Sequence, residues 1–157
     1  MRGKWLHMIQ FGTLLLTSLS MSVAMAHLFE LPNKISLSAE EYLVVQQIYR
    51  GWSLAGILVI GAMIITLVLV IMVRKSRKVF TLTIIALLCL LGSQILFWVF
   101  TFPANRVTDN WTTLPSNWME LREQWEYSHA TGAVLHLIAM ITLILSVLSS
   151  DKQLSMK

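Results

Sequence analysis

Four long apolar runs constrain this chain more than any other feature of its sequence. They cover residues 8–29, 54–73, 79–102 and 130–149, and each is close to the roughly 20 residues that a helix needs to cross the hydrocarbon core of a bilayer. Only 13% of the residues are charged, about half the share that is typical of soluble domains. The sequence therefore predicts an all-α fold, a four-transmembrane-helix bundle that forms a single domain over residues 1–157.

Positive charge is concentrated on one side of the predicted bundle. The turn between the second and third runs reads Arg-Lys-Ser-Arg-Lys at residues 74–78, and four more basic residues lie near the chain ends. If the ends and this turn share one side, that side holds eight of the twelve Lys and Arg residues. The positive-inside rule then predicts two cytoplasmic termini, with residues 30–50 and 103–128 outside. The basic residues are otherwise few, so we do not expect nucleic acid as a partner.

The first run could also be a cleaved signal peptide, because Ala24-Met25-Ala26 fits the small-x-small cleavage pattern. Its uncharged part, residues 8–26, is longer than the usual apolar region of a signal peptide, which has roughly 7–15 residues. Small and hydroxyl side chains also recur on one helical stripe, at Thr13, Thr17, Ser20, Ala24 and His27. Such a stripe is typical of packed membrane helices, so we expect the first helix to be retained.

The outer segments carry signals for further helices. Ser38 and Glu41 form a capping-box pattern, which predicts a short helix between spans one and two. Gly51 is expected to bend the chain into the second span. Pro103 and the residues after it are expected to break the third helix. Ser116 is the expected N-cap of an extended fourth helix that starts in the outer layer.

The fourth helix carries the strongest functional signal. A stripe at spacings of three and four descends from the outer layer into the membrane: Trp118, Arg122, Trp125, His129, Gly132 and His136. Anchoring at the interface accounts for tryptophan and arginine near a helix end. It does not account for the two histidines, since ionisable groups at membrane depth are costly and normally face a partner or a cavity.

The first and fourth helices place similar groups at a similar predicted depth. Each histidine has a carboxylate three residues away, in His27-Leu-Phe-Glu30 and in Glu126-Tyr-Ser-His129, and such pairs are neighbours on a helix face. We therefore expect one cluster of His27, Glu30, Arg122, Glu126 and His129. The third helix adds a polar stripe that leads to the same end: Gln94, Trp98, Thr101 and Asn105. The predicted pocket is rimmed by Trp52, Trp98, Trp118 and Trp125.

Several stretches resemble the bacterial branch of a small four-helix membrane family of unknown function that includes the anthrone oxygenases. They are AHLFELPNK, QQIYRGW, FPANR and LREQWEYSHA, and together they extend over nearly the whole chain. The most specific part is an asparagine, here Asn105, followed by the pattern Trp-x-x-Leu-Arg-x-x-Trp at residues 118–125. The resemblance implies a retained first helix, a location in the bacterial inner membrane and oxidation of a phenolic ring compound by dioxygen.

Such a reaction requires a base, a donor that stabilises an enolate and an apolar slot for flat rings. Either histidine, His27 or His129, could be the base, oriented by Glu30 or Glu126. Arg122 and Asn105 could stabilise the oxyanion, and Trp125 could stack on the rings. No cofactor is strictly required.

Three alternatives use the same residues. His27, Glu30, Glu126 and His129 could hold a metal such as iron. The two histidines could instead be axial ligands of a haem in an electron carrier. The polar cluster could also be an interhelical clamp in a non-enzymatic subunit of a membrane-protein assembly, surrounded by lipid.

Overall fold

The structure, a computed structural model, describes the backbone of residues 2–155 and the side chains of residues 3–150. All of its long elements are helices. The four long helices are α1 (Arg2–Lys34), α3 (Gly56–Val73), α4 (Arg77–Leu96) and α6 (Trp118–Ser155), and the two short ones are α2 (Ala39–Gln46) and α5 (Phe102–Val107). The all-α four-helix bundle and the short helix between the first two spans are therefore confirmed.

The long helices form a closed ring of neighbours. Helix α1 packs on α3 and α6, and α4 packs on the same two helices. Within the part of the chain that the structure describes, four segments are long and apolar enough to cross a membrane: Gly3–Lys34, Trp52–Val73, Arg77–Val107 and Trp118–Ser150. We call the end that carries α2, α5 and the beginning of α6 the capped end. Since α1 and α6 are adjacent, the end of one and the beginning of the other meet there.

The bundle buries small polar side chains and exposes large apolar ones. Thr13, Thr17 and Ser20 of the α1 stripe are buried, and Thr83 of α4 shares a hydrogen bond of 2.8 Å with Ser146 of α6. In lipid the hydrophobic effect does not drive helices together, so close contact and interhelical hydrogen bonds hold the bundle. Helix α1 continues unbroken through residues 24–26, and its retention stays a prediction.

The third span does not break at Pro103 itself, but its helix does end among the residues that follow, at Val107, as expected. The chain makes a π-helical turn over Phe97–Thr101 and continues through α5 to Val107. Pro103 is the second residue of α5, directly after this π turn. In the π turn the Phe102 N–H donates to Phe97 O, five residues back. The Gln124 side chain donates to Phe100 O at 2.7 Å, which supports the altered backbone from α6.

The chain that covers the capped end is fixed by local signals. Ser38 and Glu41 form both hydrogen bonds of the predicted capping box at the start of α2. Gly51 has a φ of 87° between two short 3-10 turns, a conformation that glycine adopts without steric cost. The chain therefore bends into α3 at the residue that the sequence indicated.

The segment before α6 differs from the expectation. Helix α6 begins at Trp118, and the Leu121 N–H donates to Asn117 O at 3.3 Å. Asn117, and not Ser116, therefore flanks the first helical residue. The preceding loop has three successive residues with positive φ, Asp109–Trp111. This left-handed turn directs the Trp111 side chain, 2% exposed, against Tyr42 of α2.

Candidate functional site

A cavity of about 1100 Å³ lies at the capped end of the bundle. Its wall comes from all four long helices and from the chain between α2 and α3. The volume is slightly above the roughly 300–1,000 Å³ that is usual for small-molecule sites. The bundle therefore has room for a ligand of several rings at this end.

Two stacked histidines form part of the cavity wall. The rings of His27 and His129 lie 4.1 Å apart at an interplanar angle of 26°. Trp125 lies 4.2 Å from His129 and 5.1 Å from His27, while Tyr49 and Trp52 lie 4.6 and 5.6 Å from His27. His27 is 5% exposed, and its Nδ1 has no hydrogen-bond partner. His27 and His129, which were expected in one cluster, thus lie in direct contact.

Asn105 and Trp125 also belong to the cavity wall. The Trp125 ring N–H donates to Asn105 Oδ1 at 2.8 Å. This bond joins α5 to α6 and fixes the indole plane beside the histidines. Both residues were expected at the site, and the bond between them gives Asn105 a second function as the anchor of an aromatic wall.

A buried ion pair lies behind this wall. Lys34 Nζ is 2.9 Å from Glu126 Oε1, and the Tyr42 hydroxyl donates to the same oxygen at 2.8 Å. Gln46 Nε2 donates in turn to the Tyr42 hydroxyl. Burial, and secondly the negative charge of Glu126, raise the pKa of Tyr42 above its ordinary value. Tyr42 therefore stays a protonated donor to the carboxylate.

Lys34 connects the ion pair with the aromatic cluster. Its Nζ donates to the Tyr49 hydroxyl at 2.9 Å, and that hydroxyl donates to Glu30. The ammonium also lies 4.4 Å from the Tyr49 ring and 4.6 Å from the Trp125 ring. Cation–π attraction at such distances stabilises a desolvated charge. Lys34, Tyr42, Gln46 and Tyr49 were not among the predicted site residues.

Arg122 does not form part of the cavity wall. Its Nη1 donates to Leu37 O at 2.8 Å, and its guanidinium lies 4.7 Å from the Trp118 ring. Arg122 therefore ties the start of α6 to the chain before α2. The predicted contact of Arg122 with an oxyanion is wrong for a ligand in this cavity. Trp118, expected on the rim, lies beside Arg122 and is likewise no part of the wall.

The carboxylates do not orient the histidines. Glu30 accepts from Tyr49, Glu126 accepts from Tyr42 and pairs with Lys34, and His27 Nδ1 stays without a partner. The predicted Glu–His pairs are therefore wrong, because a lysine and two phenols take up the carboxylates.

The four residues expected to bind a metal do not fit one. Among the side chains of residues 3–150, no three His, Cys, Asp or Glu gather closely enough to hold a metal ion. A haem fits no better, since axial histidines must approach opposite faces of the macrocycle. The stacked rings of His27 and His129 face each other directly, with no space for a haem between them.

His136 forms the floor of the cavity together with Ser20. Its Nδ1 lies 2.9 Å from Gly132 O, and its Nε2 lies 2.9 Å from Ser20 Oγ. A carbonyl oxygen only accepts, so Nδ1 carries the proton and Nε2 accepts from the serine hydroxyl. This histidine is satisfied by an interhelical bond between α1 and α6. It differs in this respect from His27.

No family model, no curated protein and no solved structure matches this chain. The cavity and the groups in its wall are therefore what indicates a function.

Proposed function

We propose that the protein binds a small apolar or phenolic ring compound in this cavity and oxidises it with dioxygen. One observation supports the proposal above the others. The stacked imidazole rings of His27 and His129 belong to the cavity wall, with the Trp125 ring beside both of them. Imidazole is the side chain that acts most often as a general base, so two of them in the wall are suited to removing a substrate proton.

The aromatic side chains suit a flat ligand. Trp125, Tyr49 and Trp52 surround the histidine pair, and ring pairs at such distances are favourable in stacked or edge-on arrangements. Asn105 and Trp111 add polar atoms to the wall, and the Trp111 ring N–H has no partner. A few polar groups within an apolar wall are what orients a small molecule in its site.

The proposed reaction starts at a doubly activated CH₂ of the substrate. His27 removes one proton, and the resulting carbanion transfers electrons to dioxygen as a C–O bond forms. The hydroperoxide then loses water, with the abstracted proton returned to the departing oxygen, and leaves a ketone. The balance is R₂CH₂ + O₂ → R₂C=O + H₂O. In this scheme the chain's residues act as base and as binding wall, and Asn105, which belongs to the wall, is the donor for the enolate oxygen.

Anthrone is a suitable probe because it has such a CH₂ between two rings. Protein in lipid nanodiscs would be mixed with anthrone, and oxygen uptake and anthraquinone absorbance would be followed. We expect His27→Ala and His129→Ala to abolish the protein-dependent rate. Phe29→Ala is the matched control, since Phe29 lies on the same helix as His27 and is 72% exposed. A rate that only follows the amount of folded protein in all three variants would contradict the proposal.

The second candidate is a non-enzymatic membrane subunit, and one observation favours it. The Lys34–Glu126 pair and Arg122 link α1, α6 and the chain around α2 without belonging to the cavity wall. Such a clamp stabilises the capped end whatever the cavity binds. If this candidate is right, His129→Ala will lower the melting temperature, and no variant will change a rate or a ligand affinity beyond that loss.

A further inference from the structure

The cavity wall includes side chains that are also exposed on the outside of the bundle. On α3, Ile57 is 68% exposed and Ile60 is 51% exposed, and in the π turn after α4 Trp98 is 59% exposed. All three belong to the cavity wall. Both isoleucines continue the exposed face of α3 that includes Ile64 and Ile71, which are not part of the wall, so the cavity opens to the outside of the bundle beside them. Here the opening lies between α3 and α4, at the height of their apolar, membrane-spanning segments.

The backbone is irregular on both sides of this opening. Helix α3 begins only at Gly56, after a 3-10 turn over Trp52–Ala55, and a Cβ on Gly56 would meet no atom within 4 Å. Helix α4 has its π-helical turn, Phe97–Thr101, on the facing side. A π turn inserts an additional residue and often marks a functional position in a helix. Both helices thus depart from regular α-geometry beside the opening.

The capped end of the cavity has a different character. Arg50, Arg106 and Asp109 belong to the wall there, and all three are exposed. These charges add no favourable interaction with a neutral ring compound, and such a compound partitions into lipid rather than water. The side opening is apolar, whereas the opening at the capped end is charged.

We propose that the cavity takes its ligand from the lipid, sideways between α3 and α4, and that this ligand is a neutral, membrane-dissolved aromatic compound. The aromatic class rests on the proposed function, whereas the route rests only on the shape of the cavity. Ile57, Ile60 and Trp98 form the side opening. Val23 and Ala24 of α1, which also belong to the wall, are reached through it.

The route can be tested without any turnover. The probe is 3-trifluoromethyl-3-phenyldiazirine, a small apolar aromatic that dissolves in the bilayer and inserts into nearby side chains on illumination. Full-length protein in phosphatidylcholine vesicles would be labelled, and the α1 peptide that contains Val23 and Ala24 would be analysed by mass spectrometry. We expect clear labelling of this peptide in the original protein, and a loss of several-fold in Ile60→Trp.

Two variants control for general effects of a new tryptophan. Ile64→Trp changes an α3 side chain that is 60% exposed and is not part of the wall, so labelling should stay unchanged. Arg50→Trp narrows the charged opening and should also leave it unchanged. Labelling that survives Ile60→Trp but is lost in Arg50→Trp would overturn the lateral route. Absence of labelling at residues 23–24 in every folded variant would overturn it as well. Neither outcome depends on whether anthrone is oxidised.

Discussion

Lys34 carries a positive charge into a part of the protein where it is only 3% exposed, and Glu126 is its main partner. Breaking a buried ion pair by removing one member typically costs about 3–5 kcal/mol, because the other charge is left uncompensated. Replacing both members with apolar residues of similar size removes that cost. The effects of the two substitutions on the free energy of unfolding are therefore expected to be strongly coupled.

We predict that Lys34→Met and Glu126→Leu each lower the free energy of unfolding by about 3 kcal/mol or more. In the double variant, the free energy of unfolding should fall by clearly less than the sum of the two single decreases. Chemical unfolding in mixed micelles measures all three values. Lys75→Met is the control, because Lys75 is exposed in the basic turn and its loss should have little effect. Additive losses would show that the two charges are independent of each other.

At the scale of single elements, the start of α2 offers a titratable marker. The Ser38 side chain and backbone both donate to the Glu41 carboxylate, and these bonds lower the pKa of Glu41. Since the pKa in the folded state lies below that of the unfolded chain, this stabilisation is complete above the unfolded value. It is lost as the pH falls through the folded value.

We predict that Ser38→Ala raises the pKa of Glu41 towards its ordinary value, because the hydroxyl bond disappears. The backbone bond from residue 38 remains, so the shift should be partial. Carbon-13 NMR titration of labelled glutamate carboxyls in micelles measures it. Ser36→Ala is the matched control, since Ser36 is an exposed serine that bonds only to Asn33 O. An unchanged pKa in Ser38→Ala would contradict the capping-box geometry.

The sequence predicted elements better than it predicted the contacts between them. The apolar runs and the capping box are read from residues that are close together in the sequence, and both are found as expected. The π turn before Pro103 has no comparable signal, because it depends on support from Gln124 of α6. Lys34 lies seven residues after His27 and so on the same face of α1. The apolar run ends at residue 29, so the sequence alone places Lys34 in a loop after the span.

The sequence predicted that the two histidines lie together, but it did not predict the partners of the carboxylates beside them. The rings of His27 and His129 are in contact. Ionisable side chains at membrane depth are costly unless they face a partner or a cavity, which favours such a contact between adjacent helices. Pairing of each histidine with its own carboxylate was inferred from spacing within one helix. The carboxylates pair instead across helices, with Lys34 and Tyr42. Contacts between distant parts of the chain cannot be read from the periodicity of one helix.

At the scale of the whole molecule, the charge pattern predicts how the bundle is oriented. The turn at residues 74–78 has four basic residues, so it should lie in the cytoplasm, with the capped end outside. In a Cys89→Ser background, we predict that a membrane-impermeant maleimide added to intact cells labels Asp109→Cys. It should label Ser76→Cys only after the cells are opened. The reverse pattern would invert the bundle and place the cavity near the cytoplasmic face.

The Lys34–Glu126 pair also has a consequence for the order in which the protein is made. Lys34 ends the first helix and Glu126 lies in the last, so synthesis delivers the lysine long before its partner. Until α6 is inserted, the long lysine side chain can reach the membrane surface and keep its ammonium in water. Closure of the capped end is therefore a late event in biogenesis. A chain that stops before α6 would present an unpaired lysine, a difference by which quality control could distinguish incomplete from finished protein.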